Sequence, residues 1–293
     1  MDRRAFMQTG IATTAAATIT AAALPGATRA AAQEARPAEA PRKGRLRQSV
    51  CRWCFGGMTL DQLCDVAKPM GIQAIDLLDE AEWPVVAKHG LVCSTANGPG
   101  GITKGWNRRE MHEELIKKSE RLLPLVAAAG IPNMIVFSGN RAGMPDDEGM
   151  RTCAEGLKRI MPLAEKHGVT VIMELLNSKV DHKDYMCDRS NWGVGLCKLV
   201  GSERFKLLYD IYHMQIMEGD VIRTIRDHHA HFGHYHTAGN PGRSNLDQTQ
   251  ELNYRGICEA IVATGFKGYL AQEFMPRGDA ATALRQAVEV CDV

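Results

Sequence analysis

The 293-residue sequence has almost no net charge and, beyond its N-terminus, no long hydrophobic run. Its 35 Lys and Arg residues nearly balance its 34 Asp and Glu residues, which gives a formal net charge of +1. This balance gives no reason to expect nucleic acid or an anionic membrane as a partner. Because no later apolar run is long enough to cross a bilayer, we predict no transmembrane segment after the N-terminus.

Two glycine-rich binding fingerprints are also missing. No Gly-rich dinucleotide fingerprint follows the first predicted strand, which weakens the alternative of a doubly wound open sheet. The glycine-rich segment that begins at Asn97 lacks the lysine pattern of a P-loop, so it is weak evidence for phosphate binding. The sequence therefore favours an unphosphorylated ligand.

The N-terminus has the pattern of an export signal. Arg3 and Arg4 precede Phe6, and a mildly apolar stretch rich in Ala and Thr covers residues 10–24. This pattern resembles a twin-arginine signal, and small residues near position 30 allow a signal-peptidase cut. We predict a signal peptide over residues 1–32, a linker over residues 33–43 and export to the periplasm; a disordered Ala-rich tail is the alternative. Residues 44–293 would form the folded domain, with no membrane contact in the mature form.

From residue 44 onward, short apolar runs alternate with longer helical patterns. The predicted strands cover residues 46–55, 74–79, 91–96, 134–138, 170–175, 206–211, 233–237 and 268–274. Helices are predicted from Thr59 as N-cap and over residues 80–89, 108–129, 146–167, 191–200, 220–232, 254–264 and 280–290. Eight strands alternating with eight helices predict an α/β fold of the (β/α)8 TIM barrel type.

Four of the apolar runs end in a residue that can bind a metal ion. These residues are Glu174, Asp210, His236 and Glu273. A barrel gathers the C-terminal ends of its strands at one face, and buried charges are costly unless they are paired or bound to a metal. A set of three carboxylates and one imidazole suits Mg²⁺, Mn²⁺ or Co²⁺, with Zn²⁺ left open. Structural carboxylates paired with arginines are the alternative.

An ordered set of motifs covers Glu174, the segments 210–213 and 236–243, Asn253-Tyr254, and the segment 273–277. This set resembles the xylose isomerase-like superfamily of sugar isomerases and epimerases, and within it the hydroxypyruvate isomerases. The resemblance implies that Glu174, Asp210, His236 and Glu273 bind one divalent metal. It also implies that Glu174 and Glu273 are the acid–base pair and that His213 and Arg243 contact substrate oxygens.

Two positions leave the substrate open. Hydroxypyruvate isomerases often carry Gln where His236 stands, whereas ketose 3-epimerases carry His. The epimerases place a further Glu six residues after the first, where this chain has Val180. The resemblance implies a metal-dependent isomerase of a small hydroxy-carbonyl compound, of the hydroxypyruvate and tartronate semialdehyde type, acting through an enediolate. An epimerase or dehydratase acting on a keto sugar or inositol derivative is the alternative, as is a non-catalytic sugar-binding barrel.

Other side chains are expected around this site. Lys179 and His182 lie in the polar loop after Glu174 and are predicted to shape the substrate pocket, as is Asn97 after the third strand. Trp53 is expected to form part of the pocket wall. His234 has the strand parity of His236 and should lie one layer deeper, where it either packs in the core or supports the site from behind. The cysteines of the Cys51-x-x-Cys54 motif are expected to be packing residues. The expected partner is a small-molecule substrate, a sugar or hydroxy keto acid, and a homo-oligomer is compatible with the sequence.

Overall fold

The computed structural model describes residues 42–293. The predicted signal peptide and residues 33–41 of the linker lie outside this range, so both stay predictions. Within the described range, no helix is both long and apolar enough to cross a membrane.

Nine parallel β segments form one sheet that nearly closes on itself. They are β1 Arg47–Cys51, β2 Ala74–Asp76, β3 Val92–Cys93, β4 Thr95–Ala96, β5 Asn133–Val136, β6 Thr170–Glu174, β7 Phe205–Asp210, β8 Phe232–Thr237 and β9 Tyr269–Gln272. Their spatial order is β3-β2-β1-β9-β8-β7-β6-β5-β4. β3 and β4 are two halves of the predicted third strand on either side of Ser94. Since β3 pairs with β2 and β4 pairs with β5, this stretch links the two edges and confirms the barrel.

Helices follow the strands around the barrel. They are α1 Leu60–Ala67, α2 Trp83–Lys88, α3 Arg109–Ala128, α4 Asp146–His167, α5 Ser190–Val200, α6 Ile211–Met217, α7 Val221–His228, α8 Tyr254–Ala263 and α9 Ala280–Cys291. Short 3₁₀ helices cover Arg52–Phe55, Lys68–Met70, Glu80–Glu82 and His229–His231. Thr59 caps α1 as predicted, in a reciprocal capping box with Gln62. The short α6, directly after β7, was not predicted.

The first predicted strand is too long. β1 ends at Cys51, whose partner Asp76 is the last residue of β2. Residues beyond Cys51 therefore have no ladder to join, and Arg52–Phe55 turns into a 3₁₀ helix. The prediction that Cys51 and Cys54 share a strand is wrong for this reason. All nine cysteines are free and buried.

The barrel interior is built in layers that place the site. Ile135, Ile172 and Leu208 form a small buried cluster of their own. Ile172 and Leu208 stand two residues before Glu174 and Asp210, so the same strand faces carry the apolar layer and then the carboxylates. The acids thus lie at the C-terminal end of the barrel above a packed interior.

Candidate metal centre and active site

The four predicted metal ligands converge at the C-terminal ends of neighbouring strands. Glu174 ends β6, Asp210 ends β7, His236 stands near the end of β8, and Glu273 directly follows β9. Asp210 and His236 are direct neighbours in the sheet register. One potential ligand atom from each of the four lies within 4.8 Å of those from the others, and all four side chains are buried.

The two carboxylate oxygens of Asp210 make different contacts: one caps a helix, and the other faces the predicted metal ligands. Its Oδ1 accepts a hydrogen bond from the backbone N–H of His213 at 3.0 Å and so caps α6. Its Oδ2 remains on the site side, 4.0 Å from His236 Nδ1 and 3.6 Å from Arg243 Nη2. The cap fixes the carboxylate and also places His213 in the first turn of the helix.

His236 lies between the other three predicted ligands on one side and Asp76 on the other. On the site side, its Nδ1 is 2.8 Å from Glu273 Oε2 and 3.5 Å from Glu174 Oε1. On the opposite side, its Nε2 is 2.9 Å from Asp76 Oδ2. The ring has no solvent exposure. It can therefore present Nδ1 to a cation while Nε2 stays hydrogen-bonded to Asp76.

Arg243 reaches the same carboxylates from the loop after β8. Its Nη2 donates to Glu273 Oε2 at 2.5 Å, and its guanidinium packs against the rings of Trp53 and Tyr212 at 5.1 and 5.5 Å from their centroids. Arg243 has a φ of +49°, in the left-handed region that is uncommon for a residue other than glycine. The backbone hydrogen bond from Met275 N–H to its carbonyl, at 2.7 Å, holds the loop in this position.

Burial and crowding set the protonation of the acids in the absence of a metal ion. Burial raises the pKa of Glu174, and it raises the pKa of Asp210 well above its usual range despite the opposing charge of Arg243. Burial alone would also raise the pKa of Glu273, but Arg243 and His236 together hold it well below its usual range. Three carboxylates at this spacing do not all ionise easily without more positive charge.

The residues present fit a divalent cation. Glu174 Oε1 is buried, and no residue in the range 42–293 donates a hydrogen bond to it. Oxygen-rich sets with one imidazole suit hard or borderline divalent ions. A bound cation would satisfy Glu174 Oε1 and supply the charge that lets Glu174 and Asp210 ionise.

Besides Arg243, the predicted substrate residue His213 lies beside the four ligands, and His182 packs on His213. His213 is fully buried, and its Nδ1 accepts a hydrogen bond from Asn177 Nδ2 at 2.6 Å, which leaves the proton on Nε2, 3.6 Å from Asp210 Oδ2. Burial, reinforced by the charge of Arg243, holds the pKa of His213 well below its usual range. The ring of His182 packs edge-on to that of His213, with centroids 5.2 Å apart.

The remaining two predicted substrate residues, Lys179 and Asn97, form hydrogen bonds outside the group of four ligands. Lys179 Nζ donates to the backbone carbonyls of Ile216 and Met217 at 2.8 and 3.0 Å, which ties its loop to the end of α6. Asn97 Nδ2 donates to Asp79 Oδ1 at 2.9 Å. None of these three hydrogen bonds reaches the four ligands, so a substrate contact by Lys179 or Asn97 stays a prediction.

Three residues make contacts at the site that were not predicted from the sequence. Trp53 was expected only in the pocket wall, yet its Nε1 donates to Glu273 Oε1 at 2.9 Å. Asn177 orients His213, and Asp76 contacts His236 from below. A signal for Asp76 was available, because the run Ala74-Ile75-Asp76 also ends a buried strand in an acid.

Residues 60–292 match the family model described as the xylose isomerase-like TIM barrel. The chain belongs to the xylose isomerase-like TIM barrel family. The fold is similar to that of a solved structure, an AP endonuclease of family 2 from Brucella melitensis. That structure is 23% identical with a TM-score of 0.75, over 82% of this chain and 97% of the other.

Isomerases are among the curated proteins that are similar to this chain. A 2-oxo-tetronate isomerase from Cupriavidus necator is 35% identical over 133 residues, which cover 45% of this chain and 50% of the relative. The hydroxypyruvate isomerase of Escherichia coli is 28% identical over 144 residues, covering 49% of this chain and 55% of that protein. The chain thus spans about half the length of these relatives in each alignment.

Proposed function

We propose that this protein is a metal-dependent isomerase of a small α-hydroxy-carbonyl compound and acts by proton transfer through an enediolate. Hydroxypyruvate and tartronate semialdehyde are the first substrate pair to test. 2-Oxo-tetronate is the next compound to test, because the similar protein from Cupriavidus necator is named 2-oxo-tetronate isomerase. The proposal rests on the convergence of Glu174, Asp210, His236 and Glu273 at one end of the barrel.

The reaction needs removal of a weakly acidic proton next to a carbonyl and stabilisation of the resulting negative charge. A divalent ion, when bound, supplies Lewis-acid stabilisation of both substrate oxygens. Glu174 is the last residue of β6 and Glu273 directly follows β9, with β7 and β8 between these strands. Their carboxylates can therefore approach adjacent substrate carbons from opposite sides, one as base and the other as acid.

Arg243 and His213 would bind the substrate oxygens. The guanidinium of Arg243 carries a fixed charge in a buried site, where it stabilises an oxyanion more than it would in water. His213 holds its proton on Nε2, and no residue in the described range 42–293 accepts that proton. It is thus available as a neutral hydrogen-bond donor to the substrate.

An epimerase of a keto sugar is the second candidate, and one observation favours it. His236 lies among the ligands, at the position where the resemblance assigns His to ketose 3-epimerases and often Gln to hydroxypyruvate isomerases. Against it, Val180 stands where those epimerases carry a further Glu, and this side chain is 61% exposed. Both reactions use the same acid–base pair, so substrate assays separate them.

The test is a substrate panel assayed with Mg²⁺, Mn²⁺, Co²⁺ or Zn²⁺ added to chelator-treated protein. The panel contains hydroxypyruvate, 2-oxo-tetronate, and free ketoses such as fructose, and products are identified by NMR. Conversion of a 2-oxo acid, absent in Glu273→Gln, supports the proposal. Inversion of a ketose without aldose formation would favour the epimerase instead, and no turnover of any compound with any metal would favour a binding barrel.

A further inference from the structure

A second polar cluster lies directly beneath the four ligands, centred on Asp76. This carboxylate has no solvent exposure. Its Oδ2 is 2.9 Å from His236 Nε2, 3.2 Å from His234 Nε2 and 3.6 Å from Cys51 Sγ. Its Oδ1 accepts a hydrogen bond from the hydroxyl of Ser94. Four potential donors around one buried carboxylate account for both of its oxygens.

The strands explain why these groups meet. Asp76 and Cys51 are register partners at the ends of β2 and β1. His234 and His236 are two residues apart on β8, and their rings pack edge-on with centroids 5.1 Å apart. Because alternate residues of a strand share a face, both histidines point into the barrel interior toward Asp76. The cluster is thus part of the barrel's inner layers.

We infer that Asp76 is a positioning residue that holds the His236 ring in the orientation and tautomer in which Nδ1 faces Glu174, Asp210 and Glu273. The hydrogen bond from Nε2–H to Asp76 keeps a proton on that nitrogen, so the Nδ1 lone pair is left for a cation. A carboxylate that accepts from a ligand imidazole also makes that imidazole more basic. The inference rests on the proposed function in taking His236 as a metal ligand.

A second metal ion in place of these hydrogen bonds fits the distances less well. Cys51, Asp76 and His236 lie close enough together to form a three-residue ligand group. Two tetrahedral ligand atoms, each about 2.1 Å from an ion, would lie about 3.4 Å apart. The separation of 2.9 Å between Asp76 Oδ2 and His236 Nε2 is that of a hydrogen bond.

The first test measures metal affinity in Asp76→Asn, which keeps the side-chain size and removes the charge. Mn²⁺ binding to the full chain is followed by calorimetry. Asp188→Asn is the matched control, because Asp188 is also a buried carboxylate but pairs with Arg141 at 3.0 Å, away from the four ligands. We expect Asp76→Asn to weaken Mn²⁺ binding about 10- to 100-fold and the control to leave it unchanged.

The second test reads the tautomer of His236 directly in the wild-type protein and does not depend on how Asp76→Asn folds. Wild-type protein with ¹⁵N-labelled histidine is loaded with diamagnetic Zn²⁺, and the His236 signals are assigned by their loss in His236→Gln. The expected result is a proton on Nε2 and none on Nδ1. These readouts do not use catalysis, so a protein that binds Mn²⁺ as predicted but turns over no substrate would fail the proposed function and leave this inference standing.

Several outcomes would overturn the inference. One is a proton on His236 Nδ1 in the Zn²⁺-loaded protein. Another is an Mn²⁺ affinity of Asp76→Asn within about twofold of wild type. A third is binding of two ions per wild-type chain and of only one in Asp76→Asn. Wild-type protein that binds no Mn²⁺, or a His236→Ala variant that binds it as tightly as wild type, would show that His236 is not the ligand that Asp76 is inferred to position.

Discussion

Replacing Glu174 or Glu273 by Gln tests the acid–base roles of the two carboxylates. Glu273 Oε1 accepts from Trp53, and Oε2 accepts from Arg243 and lies 2.8 Å from His236 Nδ1. Glutamine keeps the size and one oxygen but cannot act as a base. Positioned general acid–base groups contribute about 10²- to 10⁴-fold in rate, which is about 3–5 kcal/mol of activation free energy. Each single change should lower kcat by at least about 10²-fold.

Three measurements separate this role from a loss of the metal. Metal content should fall less than kcat in each variant, because one oxygen donor remains. The double variant should be little worse than the single ones, since both residues serve one proton-transfer sequence. Glu218→Gln is the control, because Glu218 accepts hydrogen bonds from Ser190 on another helix and should keep wild-type kcat.

Solvent exchange gives the result that would refute the reasoning. During turnover in deuterated water, wild-type enzyme should exchange the α-hydrogen of the substrate, as NMR of the product would reveal. Turnover with full retention of that hydrogen would point to a hydride shift. The roles given to Glu174 and Glu273 would then have to be withdrawn, even with the metal site intact.

Three further predictions concern metal, pH and export. Chelation of the metal should abolish activity and lower the melting temperature. Mn²⁺ at about 100 times its Kd should restore both, because binding at that excess adds about 2.7 kcal/mol of stability. Full activity after chelation would contradict this prediction. Burial lowers the pKa of His213 in the folded protein, so below about pH 6.5 the unfolded chain binds a proton at His213 while the folded protein does not. The free energy of unfolding therefore falls as the pH is lowered, by up to about 1.4 kcal/mol per pH unit. His213→Gln should therefore show a smaller drop in unfolding free energy than wild type between about pH 7.5 and 5.5 in urea titrations, and equal drops would count against a buried neutral His213. We propose periplasmic export by the twin-arginine route; replacing Arg3 and Arg4 by Lys should leave the protein in the cytoplasm, and periplasmic recovery of that variant through the same route would disprove the signal.

Strand ends were the part of the site that could be predicted from sequence. Glu174, Asp210, His236 and Glu273 each follow a buried apolar run, and a parallel barrel brings such positions to one face. Asp76 has the same local pattern, but two of its partners, His234 and His236, come from β8. No sequence rule pairs β2 with β8 across a barrel interior. Long-range contacts of this kind depend on closure of the sheet.

Loop side chains were harder to predict, because their direction depends on local hydrogen bonds. Lys179 and His182 lie in one polar loop, yet the Lys179 ammonium turns to the carbonyls at the end of α6 while the His182 ring packs on His213. The apolar and aromatic residues after Cys51 extend the strand pattern, but the sheet has no partner there. Periodicity alone does not show where a ladder ends.

The most direct test of the account is a crystal structure of the protein with Mn²⁺, with anomalous data collected to locate the ion. We predict one strong peak, with a ligand atom from each of Glu174, Asp210, His236 and Glu273 about 2.0–2.3 Å away and with His236 contributing Nδ1. A peak elsewhere, or an ion that any two of these four side chains do not reach, would contradict the account.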